Sequence, residues 1–342
     1  MSGLERVAST LREYGSLTRA LLFDYLPADR PGMPLYALCA EYPRRGGRAM
    51  RPSLCLAAAR AFGAALADAL PTAVSIELIH NAMLIHDDIE DESELRRGLP
   101  ALHVTEGVPL ALNAGDMLSM LSLRPLLDSR ARLGNTLTME LCELAQRMAH
   151  ESAEGQALEL GWRRDNPSDV SEADYLHMVL KKTCWLATIY PLQAGALIGS
   201  RGRADLEPIA RFGYLLGAAF QIQDDLLNLV GDAERYGKEL GGDIYEGKRS
   251  LMLIRLFALA SEAERTRLSA LLALPRAART LDEVRWVRDA MEHHGCLDYA
   301  RHVAHALAGA AEHEFTASFG SLPESADKQF IASLPGWVIA RA

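Results

Sequence analysis

No stretch of this 342-residue chain is apolar for long enough to cross a bilayer. The longest such run, residues 184–199, falls short of the ~20 residues that a spanning helix needs and contains Pro191 and Gln193. It reads instead as a buried helix pair. The N-terminus carries Glu5 and Arg6 without an apolar core, so it does not read as a signal peptide. Cysteines are few: Cys39, Cys55, Cys142, Cys184 and Cys296 are far apart, odd in number and free of CxxC or zinc-type spacing. They point to reduced thiols in a cytoplasmic protein rather than a disulfide framework. Positive charge is also short, with 36 Lys+Arg against 45 Asp+Glu and a net charge of −9. Non-specific nucleic-acid binding needs a basic face, which this balance does not supply. Neither GxxxxGK(S/T) nor GxGxxG occurs, which excludes a P-loop and a dinucleotide fingerprint. Strand-like alternation of Val, Ile and Thr is nearly absent, as are fixed-period repeats and low-complexity tracts.

What is present is ordinary globular material, 49% hydrophobic and 24% charged, enough for a large core. Helical periodicity predicts helices over 71–92, 107–127, 134–160, 171–189, 204–230, 248–273, 281–294 and 296–318. Pro71 reads as a first helical residue. Breakers separate the segments at Pro43–Gly47, Gly98–Pro100, Asp165–Ser168 and Gly241–Gly242, and none is long enough to be a flexible linker. The expectation is one all-α domain over 1–342, with its chemistry in about 40–275 and further helices over 276–342.

Chemistry concentrates in three places. His86–Glu92 reads HDDIEDE. Asp87 and Asp91 stand at i and i+4 on one helix face, and Asp88 lies ~100° around. Like charges at that spacing, at the negative end of the helix dipole, are unfavourable without a cation. Hard divalent ions such as Mg²⁺ suit these ligands. Alone, the cluster also fits a solvated acidic helix end. In Phe220–Asn228, Gln221, Asp224, Asp225 and Asn228 form a polar stripe on an otherwise apolar helix, where unpartnered carboxylates are costly. The cations are Arg44, Arg45, Arg48 and Arg51 around Gly46–Gly47, then Arg96–Arg97, Lys181–Lys182, Lys238, Lys248 and Arg249. Arginine and lysine beside glycine suit phosphate oxygens. Together these features describe a ligand with a diphosphate head and a hydrocarbon tail.

The motifs resemble those of the trans-isoprenyl diphosphate synthase (polyprenyl synthetase) family, in order from Gly46 to about Ser250 and most like its geranylgeranyl diphosphate synthases. They are GGRAMRP (46–52), LIHDDIEDESELRRGLPALH (84–103), Asn113–Asp116, Gly155-Gln156, Lys182-Thr183, FQIQDDLLNL and GKELGGDIYEGKRSLMLI. The resemblance implies an all-α bundle around a deep cavity, in which isopentenyl diphosphate is joined to an allylic diphosphate. It implies about three Mg²⁺ on Asp87, Asp88, Asp91, Asp224 and Asp225, with Asn228 offering a further oxygen. Arg96, Lys182, Thr183, Gln221, Lys238 and Lys248 would contact the allylic diphosphate, Thr183 also facing the nascent cation. Arg48, Arg51, His80 and Arg97 would hold isopentenyl diphosphate. A homodimer is implied as well. Departures are Arg48 for the family's lysine, Ala49 for a frequent arginine, Asn228 for an aspartate, and a C-terminus without a recognisable basic motif. A class I terpene cyclase is the competing reading, but it has no use for an isopentenyl site. A non-catalytic regulatory subunit typically loses aspartates that this chain keeps. Ala82 and Met83, five and four residues before Asp87, are expected to set product length. Aromatic residues there close the cavity in fifteen-carbon enzymes, so the small Ala82 and flexible Met83 imply a twenty-carbon product, with Met117, Met120 and Leu121 as the floor.

Overall fold

The computed structural model describes residues 2–28, 31–230 and 241–341. Helices α1 (Gly3–Tyr25), α2 (Pro34–Arg44), α3 (Met50–Ala61) and α4 (Leu66–Glu90) come first. A two-residue hairpin follows, β1 (Leu95–Arg96) antiparallel to β2 (Leu99–Pro100). Then come α5 (Leu102–Glu106), α6 (Val108–Leu121), α7 (Leu123–Asp128), α8 (Arg130–Leu133) and α9 (Asn135–Asp165). One helical rod contains α10 (Glu172–Val179), a π-helical stretch (Leu180–Ile189) and α11 (Tyr190–Ser200). It is followed by α12 (Leu206–Val230), α13 (Gly242–Glu246), α14 (Leu251–Leu259), α15 (Glu262–Leu272), α16 (Leu281–His293), α17 (Cys296–Phe319) and α18 (Ala326–Ile339). The all-α expectation holds.

Four local expectations need correction. Helix α4 starts at Leu66, so Pro71 lies inside it; the carbonyl deprived of a partner belongs to exposed Ala67, where water can serve it. Segment 107–127 breaks at Ser122 and segment 248–273 at Ser261, which starts α15 with a capping box to Glu264. Residues 184–199 are not a helix pair. Pro191 lacks the N–H that would close an α-turn, and the chain passes it by widening into the π-helical stretch without stopping.

Helix α3 is the central post. Ten of its twelve residues are buried, as expected for a helix apolar on every side. It packs against α4 and α11, and Gly195 lets α11 approach: a Cβ there would stand 2.3 Å from the Cys55 carbonyl oxygen. A second, smaller cluster lies between α2, α4 and α6, built on Tyr42, Leu78, Ala82, Ile85, Ala114 and Leu118. Helices α4, α9, α12 and the π-helical stretch wall the interior where the polar motifs meet. No helix among the described residues is long and apolar enough to cross a membrane.

Candidate active site

The two acidic motifs face one cavity of about 160 Å³. Asp87 reaches it from the end of α4, Asp224 and Asp225 from α12, and Lys182 and Thr183 from the π-helical stretch. Glycine at 155 makes this possible, because a Cβ there would stand 2.1 Å from the Lys182 backbone nitrogen. Arg96, Lys248 and Arg249 add positive charge to its lining, Gln221 adds an amide, and Glu159 and Asp243 are further acids. Lys182 lies 3.5 Å from Asp87 and also pairs with Glu159. Burial disfavours its charge, yet Glu159 and Asp87 hold the ammonium above its usual range. Thr183 donates to Gln221 at 2.8 Å, and Gln221 donates to Asp225 at 2.6 Å. Tyr175 donates to the other Asp225 oxygen at 2.8 Å. Burial nevertheless pushes the Asp225 carboxyl up to about 7.

Three expected ligands stand elsewhere. Asp88 is fully buried and turned from the cavity, accepting from Tyr42 at 2.5 Å and from the Arg96 fork. Its position 100° around α4 points it into the second core cluster, where a carboxylate needs such partners. Asp91 is also fully buried, behind Lys248 at 3.0 Å and Arg163 at 2.5 Å. Burial opposes its ionisation, but Lys248, Lys182 and Arg163 together hold its carboxyl below the usual range. Asn228 spends its side-chain oxygen on the Asp243 backbone N–H at 3.1 Å, fastening α13 to α12. Lys238 lies outside the described residues.

A second cavity, about 530 Å³, is cationic. Arg48, Arg51, His80 and Arg97 line it as expected, joined by Arg45, Arg96 and Arg341. Arg51 stands 3.4 Å from His80, and burial pulls its guanidinium down to about 10. Burial, then Arg51, Arg97 and Arg96, hold the His80 ring well below its ordinary value, so it is neutral at pH 7. Arg97 is oriented by the Tyr42 carbonyl at 2.9 Å. Arg45 pins the hairpin by donating to the carbonyls of Arg96 and Pro100. Arg96 and Asp224 line both cavities and form their shared wall.

A third cavity, about 330 Å³, runs from Asp87 and Asp224 along Met83, Leu84, Ala153, Leu186 and Phe220. Its surface is mostly apolar, with Arg51, His80 and Glu90 also on its lining. Met83 lines it, but Ala82 does not; Ala82 packs in the second cluster with Ala111, Ala114 and Leu118, one helical step away. Met117 and Leu121 also pack on that cluster and Met120 is 67% exposed, so the expected floor on α6 is not found there.

Several site residues were not anticipated. Glu159 lies three positions after Gln156, within reach of the Gly155-Gln156 signal, and Asp243 follows Gly241-Gly242 directly. Tyr42, Arg163 and Tyr175 serve the acids through pairings remote in sequence. Glu77 lines the cationic cavity as a carboxylate near Arg51 and Arg97. Arg341 stacks on Phe220, with its guanidinium 4.3 Å from the ring centre, and pairs with Asp224 at 2.7 Å.

The donors of the acid cavity are hard carboxylate oxygens, the set that Mg²⁺ or Ca²⁺ prefers. Among the described residues no group of three or more His, Cys, Asp or Glu already converges as a metal site. A profile of the polyprenyl synthetase family matches residues 33–291. A short chain isoprenyl diphosphate synthase of Methanothermobacter thermautotrophicus is 37% identical over 260 residues, 76% of this chain and 77% of that protein. A geranylgeranyl diphosphate synthase of Methanosarcina mazei is 32% identical, over 88% of this chain and 89% of its own length. A polyprenyl synthase from Caulobacter crescentus, solved with calcium and isoprenyl diphosphate, superposes with a TM-score of 0.86 at 28% identity, over 99% of this chain and 98% of that one. An acid cavity, a cationic cavity and an apolar channel meeting at Asp224 are thus built on the fold and motifs of known synthases, and the chain belongs to the polyprenyl synthetase family of trans-prenyltransferases.

Proposed function

We propose that this protein condenses isopentenyl diphosphate with an allylic diphosphate, head to tail, to give geranylgeranyl diphosphate. The carrying observation is the pair of separate polar cavities joined by one apolar channel. The allylic diphosphate belongs against Lys182, Lys248, Gln221 and Arg96, its tail along Met83 and Leu186. Isopentenyl diphosphate belongs against Arg48, Arg51, His80 and Arg97. A cyclase, acting on one diphosphate, leaves that second cavity without work. About three Mg²⁺, held by Asp87, Asp224 and Asp225 with Asp91 once Lys248 moves off it, would neutralise the leaving diphosphate.

Lys182 and Arg96 lie where charge develops as the allylic C–O bond breaks, and stabilise it there. The Thr183 hydroxyl and carbonyl face the cation. Apolar walls exclude water that would quench it. The isopentenyl double bond then attacks, and the departing diphosphate takes the proton. A homodimer is part of the proposal: Val104, Val108, Leu112, Met120, Leu123 and Leu127 are exposed on neighbouring helices α5 to α7, an apolar patch that a second copy would cover. The assay is incubation with labelled isopentenyl diphosphate and dimethylallyl, geranyl or farnesyl diphosphate, with product sizing. A twenty-carbon product is expected, and twenty-five carbons is the rival. Cyclic hydrocarbon without consumption of isopentenyl diphosphate would overturn the reading.

A further inference from the structure

Arg163, near the end of α9, lines none of the acid, cationic and apolar cavities, yet it holds an acid of the first motif. One guanidinium nitrogen donates to Asp91 Oδ1 at 2.5 Å and another to the Glu90 carbonyl at 3.2 Å. That carbonyl is among those left without a helical partner at the end of α4, where a cation is favourable. The other Asp91 oxygen, Oδ2, is held by Lys248 at 3.0 Å, and Lys248 does line the acid cavity. The two oxygens therefore have unlike partners. Lys248 is a point charge on a flexible stem, close also to Glu246 at 2.7 Å and Asp243 at 3.7 Å, and can transfer to an arriving diphosphate. Arg163 is a planar fork spanning two fixed acceptors.

We propose that Arg163 is the positioning residue for Asp91: it keeps Oδ1 fixed from outside the cavity while Oδ2, released by Lys248, is presented to a divalent ion. This deepens the metal reading under Proposed function and rests on it. Residues that orient a metal ligand typically contribute 10–100-fold in metal affinity. The test is Mn²⁺ titration of the full chain with saturating inorganic pyrophosphate, bound ion being read by electron paramagnetic resonance. Arg163→Gln should weaken Mn²⁺ binding ~10–100-fold. Arg163→Lys, which keeps the charge but reaches one acceptor, should fall between. In an Asp91→Asn background neither change should weaken binding further, whereas a merely structural role would weaken it equally there. Wild-type affinity in Arg163→Gln, or equal loss in both backgrounds, overturns the proposal. If circular dichroism shows Arg163→Gln unfolded, Arg163→Lys in the two backgrounds decides by the same criterion. A wild type that binds no Mn²⁺ with pyrophosphate overturns the metal reading, and this role with it.

Discussion

Asp225→Asn should abolish turnover and yet stabilise the metal-free protein. The carboxyl is buried on α12, and its bonds from Gln221 and Tyr175 do not offset burial, which raises its pKa from 3.8 to about 7. Folded, it keeps its proton up to about pH 7; unfolded, it loses it near 3.8. Between those values the folded state binds more protons, so stability falls as pH rises through the window. Above pH 7 the loss levels off. A rise of about three pH units at ~1.4 kcal/mol each is about 4 kcal/mol, a ceiling for what the variant can recover. Asparagine does not ionise, but with its oxygen kept toward the Gln221 donor its amide nitrogen meets the Tyr175 hydroxyl. That hydroxyl must turn to accept instead of donate. The net gain at pH 8 is therefore about 2 kcal/mol, a rise in Tm of about 3 °C. Calorimetry in chelator at pH 5, 6, 7 and 8 reads this directly. The gain should grow with pH and shrink when Mg²⁺ and pyrophosphate are added, because the ions then compensate the wild-type carboxylate. A variant no more stable than wild type at pH 8, or a gain flat from pH 5 to 8, refutes the reasoning.

Chelation should stop activity and Mg²⁺ restore it, and Asp87→Ala or Asp224→Ala should lower kcat ~10³-fold, the scale of several kcal/mol of lost charge stabilisation; near-normal turnover in either variant contradicts the metal assignment. Arg51→Ala or His80→Ala should raise KM for isopentenyl diphosphate at least ~10-fold more than KM for the allylic primer, since both line the cationic cavity; equal effects would mean that the two diphosphates are exchanged. Met83→Phe should shorten the product toward farnesyl diphosphate with turnover retained, because each isoprene unit barred from the channel forgoes ~4 kcal/mol of burial. Unchanged product length removes Met83 from the tail's path. Ala82→Phe should instead lower stability by about 1–3 kcal/mol through overpacking against Ala111 and Ala114, measurable by urea unfolding.

The sequence made the helical class and the two acidic motifs legible because both are local patterns: a 3.6-residue period and carboxylates a turn apart. It also grouped Arg48, Arg51, His80 and Arg97 by motif order, and the structure brings these four to one cavity. It could not show which acid of HDDIED faces inward. Asp88 is decided by Tyr42, 46 residues away, and Asp91 by Arg163, 72 residues away. Spacing along one helix contains neither partner. The same holds for Ala82 and Met83: adjacent residues differ by a 100° turn, and only the position of α6 reveals that Ala82 meets packed alanines while Met83 meets the channel. Arg341 was passed over because one arginine carries no pattern; Phe220 and Trp337 place it beside Asp224.

The π-helical stretch makes the reading frame of one helix part of the catalytic geometry. Each of its turns closes on the fifth residue back, so it accommodates residues that an α-helix of the same length would not. Lys182 and Thr183 sit inside it, and everything from Tyr190 to Ser200 is phased by it. Losing a single residue between 184 and 189 would let the rod relax toward α-geometry, and its two ends could no longer both keep their phase. Either Gly195 would leave its seat on α3, or Lys182 and Thr183 would turn out of the acid cavity. Point substitutions here vary side chains on a fixed frame. A change of length is a rotation, and this part of the protein tolerates the first far more readily than the second.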